Sequence, residues 1–539
     1  MTTPAFRTQS NSPIIGIHLD FKGVLFKPSY IPEMMRDLAD QGVNTILSEY
    51  EDIFPFKGLS ISSDPSKAWT QEILHSFLSE AEKYAIEVIP LQQALGHLEY
   101  LLRLPEYRHL AEEYQHPHTI CLSNPDAKRL IFEMVRQVMA THTKSRFIHL
   151  GMDEADGLAS CPKCQALGGT LKAFIDYLKE LCTLVEEYGK TPIVWTDMLQ
   201  DHFQPGAFKG LEKRVIFMPW DYYPTESDKT ATARFDGLRV SKQWLANPSA
   251  PHAPNIYPKT TFSEDWAPSI KKLVQPYWNS KWFLPLFYTD IWTKMGFRII
   301  GASAMRFSEA GPIMAAFTRS RKNFEVWKTT LQRTGQMGQI ATSWARAGSW
   351  YPPNHTTDIL WPSIADLAST MGATPKPFWP EISQQTLTRI TDTLSKCREE
   401  WGITEQIIEE MEELLTSTIR THTYEWKSLI LTAKILHLHK DYEEALYEVE
   451  RFGPSKRTVD TEWERMIKRH DRIIDALRSL KTETRKHFKE RYHGKAFNEW
   501  IEILFDVPTT KLRTSKATCK KILAETRKNS SRIAKIRTP

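Results

Sequence analysis

The chain has 539 residues and a formal net charge of +5, with 25% charged and 41% hydrophobic residues. This balance is typical of a globular protein whose length allows one large domain and at least one more. So small a net charge gives no indication of a nucleic-acid partner, and no apolar run is long enough to span a membrane. Residues 1–12 form a polar N-terminal tail without the apolar segment of a signal peptide, so we expect a cytoplasmic location.

Apolar, strand-forming runs alternate with helical periodicity from residue 13 to residue 343. Strands are predicted at 14–20, 43–47, 86–91, 192–195, 214–218, 297–302 and 338–343, with one more from residue 147. Helices are predicted at 31–41, 69–84, 126–140, 171–188 and 313–331. Eight strands with helices between most of them predict an α/β fold, a (β/α)8 TIM barrel over residues 13–375. The Pro- and Trp-rich stretch 224–296 is predicted to be a long loop insertion over the barrel mouth.

Beyond a cluster of prolines near residue 375 the pattern becomes helical. Apolar residues recur every four positions, as at Ile407, Met411 and Leu415, so residues 381–539 are predicted to form an α-helical domain. From Lys511 onward this domain has a basic tail with ten Lys or Arg and one acidic residue. An anionic partner is one interpretation of the tail. A solvated helix face is favoured, because no aromatic residues interleave with the basic ones. A homodimer through these helices is a further hypothesis.

The stretch 147–154, Phe-Ile-His-Leu-Gly-Met-Asp-Glu, begins as a buried strand and ends in two adjacent carboxylates. Neighbouring side chains of a strand point to opposite faces, so Asp153 and Glu154 can act together only where the strand has ended. In a parallel α/β barrel, that end of the strands is where active sites are built. An acidic turn is the alternative interpretation, since such turns are common.

Six of the eight predicted strands end in carboxylate, histidine or tryptophan side chains, which packing alone does not readily explain. The candidates are His18, Asp20, Lys22, Glu49, Glu51, Gln92, His97, Asp153, Glu154, Trp195, Asp197, Trp220, Asp221, Tyr222 and Trp344. No glycine-rich phosphate loop and no nucleophilic serine elbow is present. Carboxylates between tryptophans suit a carbohydrate, because aromatic faces cover a sugar ring while carboxylates bind hydroxyls and transfer protons.

The segment His149-Leu150-Gly151-Met152-Asp153-Glu154 resembles the His-x-Gly-x-Asp-Glu signature of glycoside hydrolase family 20, the exo-β-N-acetylhexosaminidases. Four further segments, 18–23, 49–55, 90–99 and 191–198, are similar to the hexosaminidase D-like branch of that family. The resemblance runs in order along roughly residues 14–370, so it covers most of the predicted barrel.

The resemblance implies a retaining, substrate-assisted mechanism, in which the 2-acetamido oxygen of the substrate attacks the anomeric carbon and forms an oxazolinium intermediate. By motif match, Glu154 is the general acid and then the general base, and Asp153 orients the acetamido group. A like-charged neighbour raises a carboxyl pKa, which agrees with one carboxyl staying protonated near neutral pH. The implied substrate is a terminal β-linked N-acetylglucosamine or N-acetylgalactosamine, and no cofactor is required.

The same resemblance surrounds the sugar with binding residues. Trp195, Trp220 and Trp344 are expected to wall the pocket, His97 to lie beside the carboxylate pair, and either Tyr222 or Tyr223 to point inward. The predicted binding set also contains His18, Asp20, Glu49, His149, Asp197 and Asp221. Many family members bind distal hydroxyls with an arginine on the first strand, where this chain has His18, Asp20 and Lys22. The choice between the two sugars is therefore open, with Asp20, Glu49 and Glu51 as candidates for the 4-hydroxyl.

The six cysteines are few for this length and mostly isolated, which argues against a disulfide framework. Cys161 and Cys164 form a Cys-x-x-Cys pair shortly after the acidic motif. Such a pair is half of a zinc site or a redox pair. Free thiols are the favoured interpretation, because a second pair is missing. A structural metal completed by histidines or by a second subunit is the alternative, and we predict no catalytic metal.

Two functions other than a glycosidase are open. One is an inactive barrel that binds sugar without cleaving it, against which the intact Asp153–Glu154 pair argues. The other is a scaffold or anion-binding protein that acts through the basic helical tail. Turnover of a β-N-acetylhexosaminide tests the first alternative, and removal of the tail tests the second.

Overall fold

The computed structural model describes residues 12–61, 69–230, 232–235, 238–241, 268–278, 283–306, 314–346, 352–400, 405–452 and 460–536. Eight parallel strands form the centre of its first part. They are β1 (Ile14–Asp20), β2 (Thr45–Glu49), β3 (Glu87–Leu91), β4 (Phe147–His149), β5 (Thr191–Trp195), β6 (Ile216–Met218), β7 (Arg298–Ile299, continuing as Gly301–Ala304) and β8 (Gly338–Thr342).

The strands close into a ring. β1 pairs with β2 on one side and with β8 on the other. β7 completes the ring because its first piece pairs with β6 and its second piece with β8. Between the two pieces, Ile300 N donates to Phe217 O at 3.1 Å, and Ala302 N donates to Pro219 O at 3.0 Å. The predicted (β/α)8 barrel is therefore confirmed.

Helices follow each strand and cover the outside of the barrel. They are α1 (Ile31–Asp40), α2 (Gln71–Lys83), α3 (Pro125–Thr141), α4 (Thr170–Glu187), α5 (Asp197–Asp201), α6 (Phe287–Lys294), α7 (Phe317–Thr334) and α8 (Trp361–Thr370). Local sequence sets several of their ends. Thr70 Oγ1 accepts from Ile73 N at the start of α2, and Asn124 caps α3 ahead of Pro125. Gly335, with φ 65°, ends α7 in the left-handed conformation.

Apolar side chains fill the barrel interior. The buried set comprises Ile14, Leu47, Ile89, Leu91, Phe147, Ile193, Trp195, Ile216, Met218, Ile300, Ala302 and Ile340. This interior is a packed core, so a ligand can bind only at an end of the barrel.

The predicted insertion at 224–296 contains regular structure where it is described. A hairpin joins Thr232–Phe235 to Leu238–Ser241 in antiparallel pairing, and the short helix Pro268–Val274 precedes α6. Residues 231, 236–237, 242–267 and 279–282 of this insertion lie outside the described residues, as does the predicted N-terminal tail up to residue 11.

The second part of the structure is helical. Its helices are α9 (Gln384–Glu400), α10 (Glu405–Ser417), α11 (Thr423–Phe452), α12 (Asp460–Phe488), α13 (Gly494–Ile501) and α14 (Val507–Ile536). The predicted basic tail is α14, which buries Leu512 and Cys519. Lys516 of α14 pairs with Asp471 of α12, so part of the positive charge is already balanced. Among the described residues, every helix is too short or too polar to cross a membrane.

The helical part contacts the first barrel unit, between β1 and α1. Tyr492–His493 pairs in antiparallel register with Leu25–Phe26, just after β1. The neighbouring Arg491 donates through Nη2 to Glu33 Oε1 of α1 at 2.8 Å. Residues from opposite ends of the chain therefore meet beside the barrel.

Candidate active site

A pocket of about 560 Å³ lies at the carboxyl ends of the barrel strands. Its lining consists of Lys22, Glu49, Glu51, Gln93, His97, Glu99, Asp153, Glu154, Trp220, Tyr222, Trp344 and Arg346. Carboxylates, cations and aromatic rings from β1, β2, β3, β4, β6 and β8 thus converge on one space.

The turn after β4 brings the two adjacent carboxylates together. Gly151, Met152 and Glu154 have positive φ values of 65°, 72° and 41°. Left-handed backbone is rare for residues other than glycine, and such strain concentrates at functional sites. The result is that Asp153 Oδ2 lies 3.4 Å and Glu154 Oε2 lies 3.5 Å from the same atom, His97 Nε2. Two consecutive residues therefore share one site because the strand has ended before them.

The Asp153 carboxylate is held at both oxygens. Gln93 Nε2 donates to Asp153 Oδ1 at 3.2 Å, while Oδ2 faces His97. Gln93 is itself held, because its Oε1 accepts from Met152 N at 3.3 Å. The Asp153 side chain is 8% exposed, so its orientation is set by these neighbours and not by water.

Glu154 is held through its backbone, which leaves its carboxyl group accessible. Glu154 N donates to Asp197 Oδ2 at 2.8 Å, and His118 Nε2 donates to Glu154 O at 2.7 Å. The side chain of Glu154 is 47% exposed, against 8% for Asp153. Glu154 can therefore exchange a proton with solvent, whereas Asp153 is a fixed group inside the pocket.

Two histidines supply positive charge beside the carboxylates. Burial alone would lower the pKa of His97, but Asp153 and Glu154 raise it well above its ordinary value. Burial would also lower the pKa of His118, but the Glu99 carboxylate, 2.7 Å from His118 Nδ1, raises it. The raised pKa values fit these contacts, since His97 Nε2 faces two carboxylates and His118 Nδ1 faces a third.

Lys22 and three carboxyl groups form a charged wall. Lys22 Nζ lies 2.9 Å from Glu49 Oε1, 3.2 Å from Asp20 Oδ2 and 3.8 Å from Glu51 Oε1. Burial alone would lower the pKa of Lys22, but the three carboxyls raise it above its ordinary value. Burial would raise the pKa of Glu49, yet Lys22 and His18 lower it. Burial raises the pKa of Glu51 well above its usual range, so the wall offers both donors and acceptors to sugar hydroxyls.

Three aromatic residues form a second wall. Trp220 stacks on Tyr222 with ring centroids 5.4 Å apart, and Trp344 Nε1 donates to the Tyr222 hydroxyl at 3.0 Å. Tyr222 is 5% exposed and lines the pocket, whereas Tyr223 is 59% exposed. Tyr222 is thus the tyrosine that points inward. Lys22 Nζ lies 5.2 Å from the centroid of the Trp344 ring, which joins the two walls.

Two residues of the predicted binding set lie inside the barrel, beneath the pocket. Trp195 and His149 are fully buried, with ring centroids 4.3 Å apart. His149 Nδ1 accepts from Gly151 N at 2.9 Å, and burial lowers the pKa of His149 to about 3, so its ring is neutral. Neither residue belongs to the pocket lining, although both support the turn that carries Asp153.

Four further predicted residues also lie outside the lining, and three of them, His18, Asp20 and Asp197, contact groups that line it. His18 Nε2 lies 3.2 Å from Glu49 Oε2. Asp20 Oδ2 accepts from Ala345 N, and Asp197 Oδ1 accepts from Trp220 Nε1 at 3.4 Å. Asp221 Oδ1 accepts from Tyr223 N, while its backbone oxygen accepts from Asn323 and Trp327.

Some residues at the site are absent from the predicted set. The structure places Gln93 at the pocket, whereas Gln92 donates to the backbone oxygen of Gln93 and to the Tyr100 hydroxyl. Gln93 and Glu99 lie in the segment 90–99 that carries the family resemblance, so the sequence could have indicated both as site residues. Arg346 lies only two residues beyond Trp344, whereas no local pattern marks His118.

Three groups of side chains among the described residues have the spacing of metal ligands. They are Glu112–Cys121–Cys161–Cys164, His97–Glu99–His118 and Glu33–Asp37–His422. In the second group, both His118 nitrogens already contact oxygen atoms of the protein. The first group contains the predicted pair Cys161 and Cys164, and brings the sequence-isolated Cys121 next to it.

Comparison with known proteins gives the same family as the motif. Residues 31–243 match the glycosyl hydrolase family 20 catalytic domain. Human hexosaminidase D is 31% identical over 214 residues, which are 38% of this chain and 44% of that protein. Hexosaminidase D of Bos taurus is 30% identical over 215 residues, 38% of this chain and 62% of that protein. The chain thus spans less than two thirds of the length of these relatives.

Among solved structures, β-N-acetylhexosaminidase from Bacteroides fragilis NCTC 9343 is similar with a TM-score of 0.44 and 15% identity, covering 72% of this chain and 71% of that chain. The similarity to this family rests on the sequence match, which runs from α1 through β6 and includes Asp153 and Glu154. Residues 31–243 of the chain are therefore similar to the catalytic domain of glycosyl hydrolase family 20.

Proposed function

We propose that this protein is a retaining exo-β-N-acetylhexosaminidase that removes terminal β-linked N-acetylglucosamine or N-acetylgalactosamine. The observation that carries the proposal is the placement of Asp153 and Glu154 around His97 in one pocket. The names of the relatives, hexosaminidase D and, at 25% identity, lacto-N-biosidase of Bifidobacterium bifidum, support this class of reaction.

In the proposed first step, the acetamido oxygen of the substrate is the nucleophile. The Asp153 carboxylate accepts the acetamido N–H, which turns the acetamido oxygen toward the anomeric carbon. That oxygen forms a bond to the anomeric carbon while the glycosidic bond breaks. The Glu154 carboxyl group gives its proton to the leaving oxygen. The product of this step is a bicyclic oxazolinium ion, whose positive charge faces the fixed Asp153 carboxylate.

In the proposed second step, water opens the oxazolinium ion. Glu154, now a carboxylate, takes a proton from the water as the oxygen attacks the anomeric carbon. The acetamido group is restored and the configuration at that carbon is retained. The 47% exposure of the Glu154 side chain supports this role, because leaving group and water must both reach it.

The other pocket residues are proposed to hold the sugar. The faces of Trp220 and Trp344 cover apolar ring positions, while Tyr222 contacts the acetamido group. Lys22, Glu49 and Glu51 are the candidates for the distal hydroxyls, in place of the arginine that many family members use. The cytoplasmic location and the homodimer through the C-terminal helices stay predictions.

The test is hydrolysis of aryl β-N-acetylglucosaminide and aryl β-N-acetylgalactosaminide by wild type, Glu154→Gln and a control, Glu187→Gln, which changes an exposed residue of α4. We expect turnover by wild type and control, inhibition by a thiazoline that mimics the bicyclic intermediate, and a loss of about 100-fold or more in Glu154→Gln.

Retained thiazoline binding by Glu154→Gln would separate lost catalysis from lost folding. A wild-type protein that binds the thiazoline but turns over neither substrate would contradict the proposal. It would favour instead the sugar-binding barrel without catalysis.

A further inference from the structure

A cluster of three cysteines and one glutamate lies behind the catalytic turn, outside the pocket lining. Cys161 and Cys164 follow the turn that carries Glu154, in the connection from β4 to α4. Glu112 and Cys121 belong to the preceding connection, from β3 to α3. The ligand atoms of all four residues lie within 4.8 Å of one another. Cys164 and Glu112 are buried, at 0% and 8% exposure.

The distances between the sulfur atoms match a tetrahedral metal site. Cys121 Sγ lies 3.6 Å from Cys164 Sγ and 3.9 Å from Cys161 Sγ. Four ligands around zinc with Zn–S bonds of about 2.3 Å have neighbouring sulfurs roughly 3.8 Å apart. A disulfide bond requires about 2.05 Å, and all three cysteines are free thiols.

The fourth position is filled by a carboxylate that is already aimed at the thiols. Glu112 Oε1 accepts from Cys161 N at 2.9 Å. That hydrogen bond directs the other oxygen, Oε2, to within 3.1 Å of Cys164 Sγ. The Glu112 carboxylate is therefore part of the cluster, although no sequence pattern predicts it as a ligand.

Backbone N–H groups point at two of the sulfurs. Ser123 N donates to Cys164 Sγ at 3.3 Å, and Cys164 N donates to Cys161 Sγ at 3.4 Å. Such N–H groups stabilise negative charge on sulfur, as the second shell of a metal–thiolate site does. Three thiolates and a carboxylate this close together would require a cation, and thiolate sulfur with tetrahedral spacing selects zinc over magnesium or calcium.

We propose that Cys121, Cys161, Cys164 and Glu112 bind one structural zinc ion. Binding releases one proton from each thiol, because the thiolate is the ligand. The set is closed, with four protein ligands and no open position, so the ion takes no part in hydrolysis. The predicted half-site is thus completed within the chain, by a distant cysteine and a glutamate in place of histidines or a second subunit.

The position of the proposed ion indicates its structural role. It joins the two connections whose contacts hold the backbone beyond Asp153. Between them, Thr119 Oγ1 donates to Asp156 O at 2.8 Å, and His118 donates to Glu154 O. A zinc ion at this place fixes the segment that follows Glu154 to the segment that carries His118.

The first test is the metal content of the full chain, purified without chelators and measured by plasma mass spectrometry. We expect about one zinc per wild-type chain, and a loss of most of it in Cys121→Ser, Cys164→Ser and Glu112→Gln. Cys182→Ser is the matched control, because Cys182 is a buried free thiol of α4 outside the cluster. Cys182→Ser should keep its zinc.

The second test needs no variant. Removal of the metal from wild type with a strong chelator should lower the melting temperature, and added zinc should restore it. Cobalt in place of zinc should give the visible spectrum of a tetrahedral thiolate site. Neither readout depends on glycosidase activity, so this proposal and the proposed function can fail separately.

Three outcomes would overturn the proposal. They are a wild-type chain that neither contains nor takes up zinc, an intact mass 2 Da low because two of the cysteines have formed a disulfide, and equal loss of zinc in Cys182→Ser.

Discussion

Gly151 stands where β4 gives way to the catalytic turn, and its missing side chain makes room for Gln93. A Cβ atom at Gly151 would lie 1.8 Å from Gln93 Oε1. Gln93 in turn holds both the Asp153 carboxylate and the backbone of Met152. Because Gly151 has no side chain, Gln93 can occupy this space and orient the Asp153 carboxylate.

We expect Gly151→Ala to cost roughly 2–4 kcal/mol of stability, because it combines left-handed backbone with a clash. It should also lower kcat, since Gln93 must move. The control is Gly335→Ala at the end of α7, which has the same φ of 65° but open space around its Cβ. That change should cost about 1 kcal/mol and leave activity unchanged. Urea unfolding and steady-state kinetics measure both effects. Equal costs for the two variants would mean that the clash is relieved elsewhere.

At the residue scale, the sequence could predict which side chains gather at the barrel end, but not which of them face the pocket. His18, His149 and Trp195 lie within β1, β4 and β5, and the strands direct them into the packed interior. Most lining residues, such as His97 and Trp344, come after their strand has ended. This distinction depends on strand ends to within one residue, and residue patterns place those ends only to within a few.

At the scale of elements, α13 extends the active site into the C-terminal part of the chain. Glu499 of α13 forms a two-point ion pair with Arg346, at 2.7 Å and 3.2 Å. Arg346 lines the pocket and donates through Nε to Lys22 O at 2.8 Å. A helix more than a hundred residues beyond the last barrel strand thus orients a cation at the sugar site.

We expect Glu499→Gln to raise KM for the aryl glycosides about two- to fivefold, with kcat changed less than twofold. The reason is that the Arg346 guanidinium loses a partly exposed charge partner, while its bond to Lys22 O remains. Glu502→Gln, at an exposed position just beyond α13, is the control and should leave KM unchanged. A change in kcat alone would contradict a binding role for this pair.

The fold was more predictable than the site because its signals are local. Each strand is a short apolar run followed by turn residues, and seven of the eight strands lie close to their predicted ranges as single pieces. β7 differs, since one predicted strand is two pieces that pair with different neighbours. Its split follows from closure of the ring, to which strands far apart in sequence contribute. The cluster of Glu112 and Cys121 with the Cys-x-x-Cys pair was unpredictable for the same reason.

At the scale of the whole molecule, one arginine joins the two parts of the chain. The Arg491 guanidinium lies over the rings of Tyr30 and Tyr424, at 4.1 Å and 3.9 Å from their centroids. It also pairs with two fully buried carboxyls, Asp358 at 3.2 Å and Glu425. Burial raises the pKa of Asp358 to about 6 even with Arg491 beside it.

We expect Arg491→Ala to destabilise the protein by roughly 3–5 kcal/mol at about pH 8, because it leaves buried carboxylates without a cation. The deficit should shrink as the pH falls to about 5. The pKa of Asp358 in the folded protein is already about 6, and it rises further in the variant, so at about pH 5 the folded state binds a proton there. In the unfolded state Asp358 has its ordinary pKa of 3.8 and is still ionised at about pH 5. Urea unfolding across this range measures the difference. Arg478→Ala, an exposed change on α12, is the control. A deficit independent of pH would assign the effect of Arg491 to packing alone.

The pairing of Leu25–Phe26 with Tyr492–His493 has a consequence for synthesis on the ribosome. The Arg491 contact with Glu33 joins residues 458 positions apart in sequence, so most of the chain must be translated before it can form. A nascent chain that has completed all eight barrel strands still lacks the partner of Leu25–Phe26 and the helix that orients Arg346. Domains generally fold as units during translation, and exposed strand edges invite aggregation. The short strand Leu25–Phe26 beside the barrel must therefore keep one edge uncovered until its partner Tyr492–His493 has been made.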